Sequence, residues 1–265
     1  MIRALFTRSL RSVAVVLAVL VAVAVMYIAE VAYLYDPEVS ESLALIQEAM
    51  PELFAAFGMA NAASTLLDFL INYLYGFLLT ALLVVLAVYL AQRLLAGPEK
   101  DGSLAWLIAA PRSRTAIALT LVAVEVTAVL VVIALCWLGE VVSCEALFPG
   151  ELDHAGLARA NGGLVVLGLF TASVCLAAVC VFPRPGLGLG VGAGACALFF
   201  LMGLTGTVGE GLAWLADLSP FALFDAYGLA AAEADAIGGT VILAATTVVL
   251  NAVAVVVFAR RDFSL

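Results

Sequence analysis

Basic residues, histidine and enzyme signatures are what this sequence has least of, and each shortage removes a class of function. The 265 residues include 11 Lys and Arg against 20 Asp and Glu. A balance this acidic disfavours nucleic acid as a partner, because phosphate backbones are held by clustered basic side chains. The single histidine, His154, cannot build a metal site by itself, and the five cysteines show no ligand spacing. No paired-histidine metal motif, Gly-x-Ser-x-Gly elbow or Gly-x-x-x-x-Gly-Lys-Ser/Thr phosphate loop occurs. Zinc hydrolysis, serine chemistry and nucleotide cleavage therefore lack their residues. The chain reads as no enzyme and as binding no cofactor or metal of its own.

Charge of either sign is also scarce, at 12% of residues, while 66% are hydrophobic and the mean hydropathy is +1.21. Such a chain is too apolar for a water-soluble domain, and its solvent is membrane lipid. Hydrocarbon offers backbone groups no water, so the polypeptide must satisfy them within helices. Apolar runs at 13–34, 69–91, 116–142, 162–182, 186–207 and 237–258 each approach the ~20 residues needed to cross. The expectation is one all-α integral membrane domain over 1–265 with six transmembrane helices. Arg3, Arg8 and Arg11 before the first run resemble the start of a signal peptide. That run exceeds the usual ~7–15 residues and no convincing cleavage site follows it, so it reads as a retained helix.

Basic residues near span ends stay on the cytoplasmic side. Arg3, Arg8 and Arg11 precede the first span, Arg93, Lys100, Arg112 and Arg114 follow the second, Arg184 follows the fourth, and Arg260 and Arg261 end the last. Only Arg159 falls elsewhere, which places both termini in the cytoplasm. Acid gathers on the opposite face, at Asp36, Glu38, Glu41, Glu48 and Glu52 and again at Glu210, Asp217, Asp225, Glu233 and Asp235. Solvation explains such a face, and attraction of a cationic ligand is the alternative.

Inside the spans, Cys136, Cys175, Cys180 and Cys196, with Cys144 just beyond, read as small apolar packing groups. Gly186, Gly190 and Gly194 recur every four residues and predict a bare helix face for close packing, within the chain or against a second subunit. Glu125 lies near mid-depth, with Thr120 and Thr127 nearby in sequence. Two readings fit it: a pathway or proton-linked group, and a structural hydrogen bond between helices. Glu30 and Asp68 read as structural, Asp68 because it sits at a helix start, and Asn251 as a bridge between helices. The outer segments are long enough for short surface helices. Leu43, Leu45, Ile46, Phe54 and Phe57 form a possible apolar face that would suit an amphipathic or lipid-like cargo.

The loop between the second and third spans is the most informative stretch. Gly97-Pro98 ends the preceding helix, Asp101 or Ser103 can cap a new one, and Leu104, Trp106, Leu107 and Ile108 give it an apolar surface before Pro111 stops it. Arg112 and Arg114 then reach the phosphate level beside Trp106. A plain interfacial helix and a helix that docks into a partner's groove both fit this pattern.

Glu99, Gly102, Ser103, Leu104, Leu107, Pro111, Ser113 and Arg114 match in spacing the loop of the membrane subunits of ABC-2 type transporters, and the chain resembles that family. Ser219-Pro220-Phe221 and Phe258-Ala259-Arg260-Arg261-Asp262 are similar to its outer segment and its basic ending. Ala105, Trp106 and Arg112 depart from it, since family loops often carry acidic or aliphatic residues there. The resemblance implies that 99–114 holds a coupling helix docking on a separate cytoplasmic ATPase dimer, which binds ATP and Mg. It further implies a second permease subunit, identical or different, export as the usual direction, and a bacterial plasma membrane. The competing class is a channel or secondary transporter driven by an ion gradient, which often shows interrupted helices or repeated halves with several ionisable groups at mid-depth, whereas this chain has one mid-span acid and no evident repeat. A third, a non-transporting scaffold, would account for the composition and not for the loop.

Overall fold

A computed structural model describes residues 2–36, 46, 49, 50, 65–206 and 213–261. The first outer segment, including Glu38, Glu41, Leu43, Leu45, Glu48, Glu52, Phe54 and Phe57, lies outside the described residues, as do Thr207, Glu210 and Asp262. Of that segment's apolar residues, Ile46 is described and exposed.

Six helices are long and apolar enough to cross a membrane, and no strand occurs among the described residues. They are α1 (Arg3–Leu34), α2 (Leu66–Lys100), α4 (Arg114–Leu147), α5 (His154–Val181), α6 (Pro185–Gly206) and α9 (Ala234–Arg260). Short helices α3 (Ser103–Ala109), α7 (Ala213–Leu218) and α8 (Ala226–Ala230) lie between them, with a 3₁₀ turn at Pro220–Leu223. The spanning helices outrun the apolar runs because polar caps lie beyond the hydrocarbon-like stretches. Thr65 and Asp68 form a reciprocal capping box, the Ser113 hydroxyl accepts from Ala116 N–H, and Asp153 accepts from Ala155 and Gly156 N–H. Each satisfies donors that a helix start leaves unpaired. Asp68 thus takes the structural role its place in the sequence implies.

Helix α5 is the hub: it packs on α2, α4, α6, α8 and α9, while α1 lies along α4. Burial follows that arrangement, with 67% of the most apolar window of α5 buried against 22% for α1 and α9 and 17% for α6. Side-chain hydrogen bonds add specificity between helices. Asn251 donates to the Ser173 hydroxyl at 2.6 Å, the bridge expected of it. All five cysteines are free and buried, and Cys175 and Cys196 approach to 3.8 Å across the α5–α6 contact.

Helix α2 contains two π-helical stretches, Ile71–Leu78 and Gln92–Ala96. In the first, the wider turn frees the carbonyl of Tyr75, and the Thr80 hydroxyl donates to it at 2.7 Å. The second precedes Pro98, whose ring could not sit in an unbroken α-helical ladder.

The glycine-rich α6 does pack closely on α5, through a different face from the one its spacing suggests. Gly186, Gly190 and Gly194 face open space. The contact is made by Gly188 and Gly192, where an added Cβ would come within 2.7 Å of Ala178 O and Val179 Cα, and within 2.9 Å of Cys175 Cα. Both pairs are four residues apart, so spacing alone cannot separate them. Because the obstacles are backbone atoms, Gly188→Ala is expected to cost roughly 1–3 kcal/mol. Gly190→Ala should be neutral or slightly stabilising, since Ala is the better helix former. Thermal unfolding of both variants in mild detergent checks this contrast.

Candidate functional site

The segments that carry most of the basic residues meet at one end of the bundle. There the loop 99–114 is fastened at both flanks to a single residue of the tail. Arg261 donates through Nη2 to Glu99 Oε1 at 2.5 Å and through Nη1 to the carbonyls of Val179 and Cys180 at 3.0 and 3.2 Å. Nη2 also donates to Pro183 O at 3.0 Å, and the carbonyl of Arg261 accepts from Arg114 Nη1 at 2.8 Å. The carbonyls at the end of α5 lack helical partners, so a planar guanidinium with five donors suits the position. At the same end, Ile2 N–H donates to the Thr120 hydroxyl at 2.9 Å, tying the start of α1 to α4.

Between these flanks the chain makes a defined turn and one short helix. Gly102 takes φ +77°, a left-handed conformation that favours glycine. Asp101 Oδ1 accepts from Ser103 N–H at 2.9 Å, and hydrogen bonds from the Ser103 hydroxyl and N–H hold the Asp101 carboxyl below the ordinary carboxylate range. Helix α3 turns Leu104 into the bundle, where it is 1% exposed, and packs Leu107 and Ile108 partly against the core. Trp106 points outward and is 83% exposed. Ala110 is extended before Pro111, as a residue preceding proline prefers, and Ser113 then caps α4. Of the loop's apolar residues, Leu104 anchors and Trp106 is the one offered outward.

Glu125 lies in the buried seam of α4, 2% exposed, and neither of its carboxylate oxygens has a hydrogen-bond partner among the described residues. Thr120 and Thr127 donate to Ala116 O and Ala123 O within their own helix and do not reach it. The interhelical hydrogen bond that would have explained this carboxyl structurally is not formed by any described residue.

Toward the opposite, acidic end, three polar side chains from three helices meet in the core. Tyr75 donates to Glu140 Oε2 at 3.1 Å, and Asn161 Nδ2 donates to Tyr75 Oη at 2.6 Å and to Glu140 Oε2 at 2.8 Å. All three are at most 4% exposed. Tyr75 belongs to the π-helical stretch of α2, the kind of local irregularity that re-aims a side chain. Beside it lies a cavity of about 270 Å³ between α2, α6 and residues 220–227. The wall reaches from Asp225 at the acidic end down to Thr80 and Leu167, roughly halfway along α2 and α5. Tyr227 on this wall donates to Asp68 O at 3.2 Å, and burial, with the charges of Asp68 and Asp225, raises its hydroxyl above the ordinary phenol range. Ser219 closes the segment by donating to Phe199 O at 2.6 Å and capping Phe221, which is buried.

No family model and no curated protein matches this chain. Its functional reading therefore rests on its own residues and their geometry. Sequence reasoning singled out Glu99 and Arg114 but missed that Arg261 joins them, although a basic ending was visible. It also missed Tyr75, Glu140 and Asn161. The available signal was that Glu140 and Asn161 sit at or just outside the ends of consecutive apolar runs, where a hairpin brings such residues to one level.

The Glu99 and Arg261 side chains are 9% and 12% exposed, so removing Arg261 leaves the nearly buried Glu99 carboxylate without this ion pair. Arg261→Ala is expected to destabilise by roughly 3–5 kcal/mol, and adding Glu99→Gln should recover part of that loss. A double-mutant cycle on thermal unfolding in detergent measures the coupling.

Proposed function

We propose that this chain is the membrane-spanning subunit of an ABC-2 type exporter, with its basic end and both termini in the cytoplasm of a bacterial cell. A second permease subunit would complete the pathway, and a cytoplasmic ATPase dimer would hold ATP and Mg. The observation that carries the reading is the loop 99–114: a short helix with one exposed tryptophan, anchored by Leu104 and tied at both flanks to Arg261. A helix so held passes a push from a docked partner to the end of α2, the start of α4 and the α5–α6 turn together. That gives coupling a physical lever rather than a path drawn between distant residues. The match of loop residues to the family's pattern supports the same reading.

One observation favours a second reading. A carboxyl at mid-depth with no hydrogen-bond partner among the described residues, Glu125, is the kind of group a gradient-driven transporter uses to carry a proton. The two readings separate on energy source. In the ATP-driven case Glu125→Gln leaves transport in vesicles supplied with the partner and ATP largely intact. In the gradient-driven case it abolishes transport.

The first test is affinity co-purification in mild detergent, comparing the wild type with Trp106→Asp. That substitution changes the outward face of α3 and spares the buried Leu104 anchor. A cassette ATPase is expected to accompany the wild type and to fall by about tenfold with the variant, since aromatic anchors dominate docking energies. No ATPase with the wild type overturns the reading; equal retention by both overturns Trp106 as the docking residue.

A further inference from the structure

We propose that the cavity between α2, α6 and residues 220–227 binds a small hydrophobic organic cation. Its wall carries five aromatic rings, those of Tyr75, Phe200, Phe221, Phe224 and Tyr227, and one carboxylate, Asp225. Aromatic faces and a carboxylate both attract positive charge, and a cavity of about 270 Å³ lies just below the size of pockets that take drug-sized ligands, roughly 300 Å³ upward. A small aromatic or quaternary ammonium ion is therefore the fitting class, and a peptide is too large.

What the cavity withholds is as informative as what it offers. The three side-chain hydroxyls on its wall already donate to the protein: Tyr75 to Glu140, Tyr227 to Asp68 O and Thr80 to Tyr75 O. Arg159, the single Lys or Arg at this end among the described residues, donates to the carbonyls of Leu229 and Ala230. Among the described residues no side-chain donor on the wall remains for an anion, while Asp225 uses Oδ1 to cap Gly228 N–H at 2.9 Å and keeps a second oxygen. Beside Tyr227 stands Asp68, a second acidic residue close to the cavity.

Under the transport reading this names the cargo class. The binding itself needs no ATPase, so the two claims fail separately. The test is calorimetric titration of the purified full chain in mild detergent with benzyltrimethylammonium, and with phenylmethanesulfonate as the anion of similar size. Asp225→Asn removes the charge while keeping an equally good cap, so the fold is retained, which an unchanged unfolding temperature verifies. Tyr227→Leu removes one ring. The cation is expected to bind the wild type and the anion not to bind. Affinity should fall by about tenfold in Asp225→Asn and several-fold in Tyr227→Leu. No cation binding by the wild type, equal binding of the anion, or an unchanged affinity in Asp225→Asn each overturns the proposal. Cation binding without a co-purifying ATPase would keep the site and remove the ATP-driven reading; an ATPase without cation binding would do the reverse.

Discussion

The arrangement of the basic end depends on one guanidinium. Arg261 follows the last spanning helix and meets the exposed carbonyls of Val179, Cys180 and Pro183 together with the carboxylate of Glu99. Its own carbonyl receives Arg114. The ends of α2, α5 and α9 and the start of α4 are thereby fixed to one point. Lysine could neutralise Glu99 there but could not span a carboxylate and three carbonyls with planar donors. Helix α3 bridges between two of the tied segments, which is why so short a helix holds a definite orientation with one side inward and Trp106 outward.

From that point the bundle is organised along α5. Where α5 must approach a neighbour closely, the structure uses missing side chains: Gly188 and Gly192 of α6 lie against its backbone, and its own Gly168 accommodates Val129 and Leu83. Close packing of this kind supplies dispersion energy where lipid removes the hydrophobic drive between helices. Polar groups that enter the core either turn back on their own helix, as Thr80 and Thr120 do, or are joined across helices, as Tyr75, Glu140 and Asn161 are. Glu125 does neither: it is buried on the same helix as Glu140, and both of its carboxyl oxygens lack a partner among the described residues.

Much of this was legible in the sequence because hydropathy and capping are local. The six apolar runs located the six helices, Pro111 closed α3, and Asp68 and Asn251 took the roles their positions suggested. Gly97-Pro98, by contrast, does not end α2, which runs on to Lys100 because a proline near the start of a helical turn needs no N–H partner, and the turn falls at Gly102 instead. The rest depended on information that spacing does not contain. Gly186, Gly190 and Gly194 and the pair Gly188 and Gly192 have the same four-residue rhythm, and only the side on which α5 lies decides between them. Glu99 and Arg261 are 162 residues apart, and Tyr75 lies 65 residues from Glu140 and 86 from Asn161. Such pairs become visible only once the helices are placed. Leu104 and Trp106 show the same limit at short range: both are apolar residues of one short helix, and the fold turns one in and the other out.

Helix α6 links the two ends of the molecule. It begins two residues after Pro183, whose carbonyl Arg261 holds, and Phe200 and Gly203 near its other end line the cavity beside Tyr75. At 22 residues it spans about 33 Å, and it is the least buried of the six spanning helices. Its contact with α5 is closest at Gly188 and Gly192 and continues through Cys196 against Cys175, while the face carrying Gly186, Gly190 and Gly194 meets nothing among the described residues. Helix α2 makes the same connection, from Glu99 at the tied end to Tyr75 and Thr80 on the cavity wall, so the two ends of the molecule are joined by two neighbouring helices.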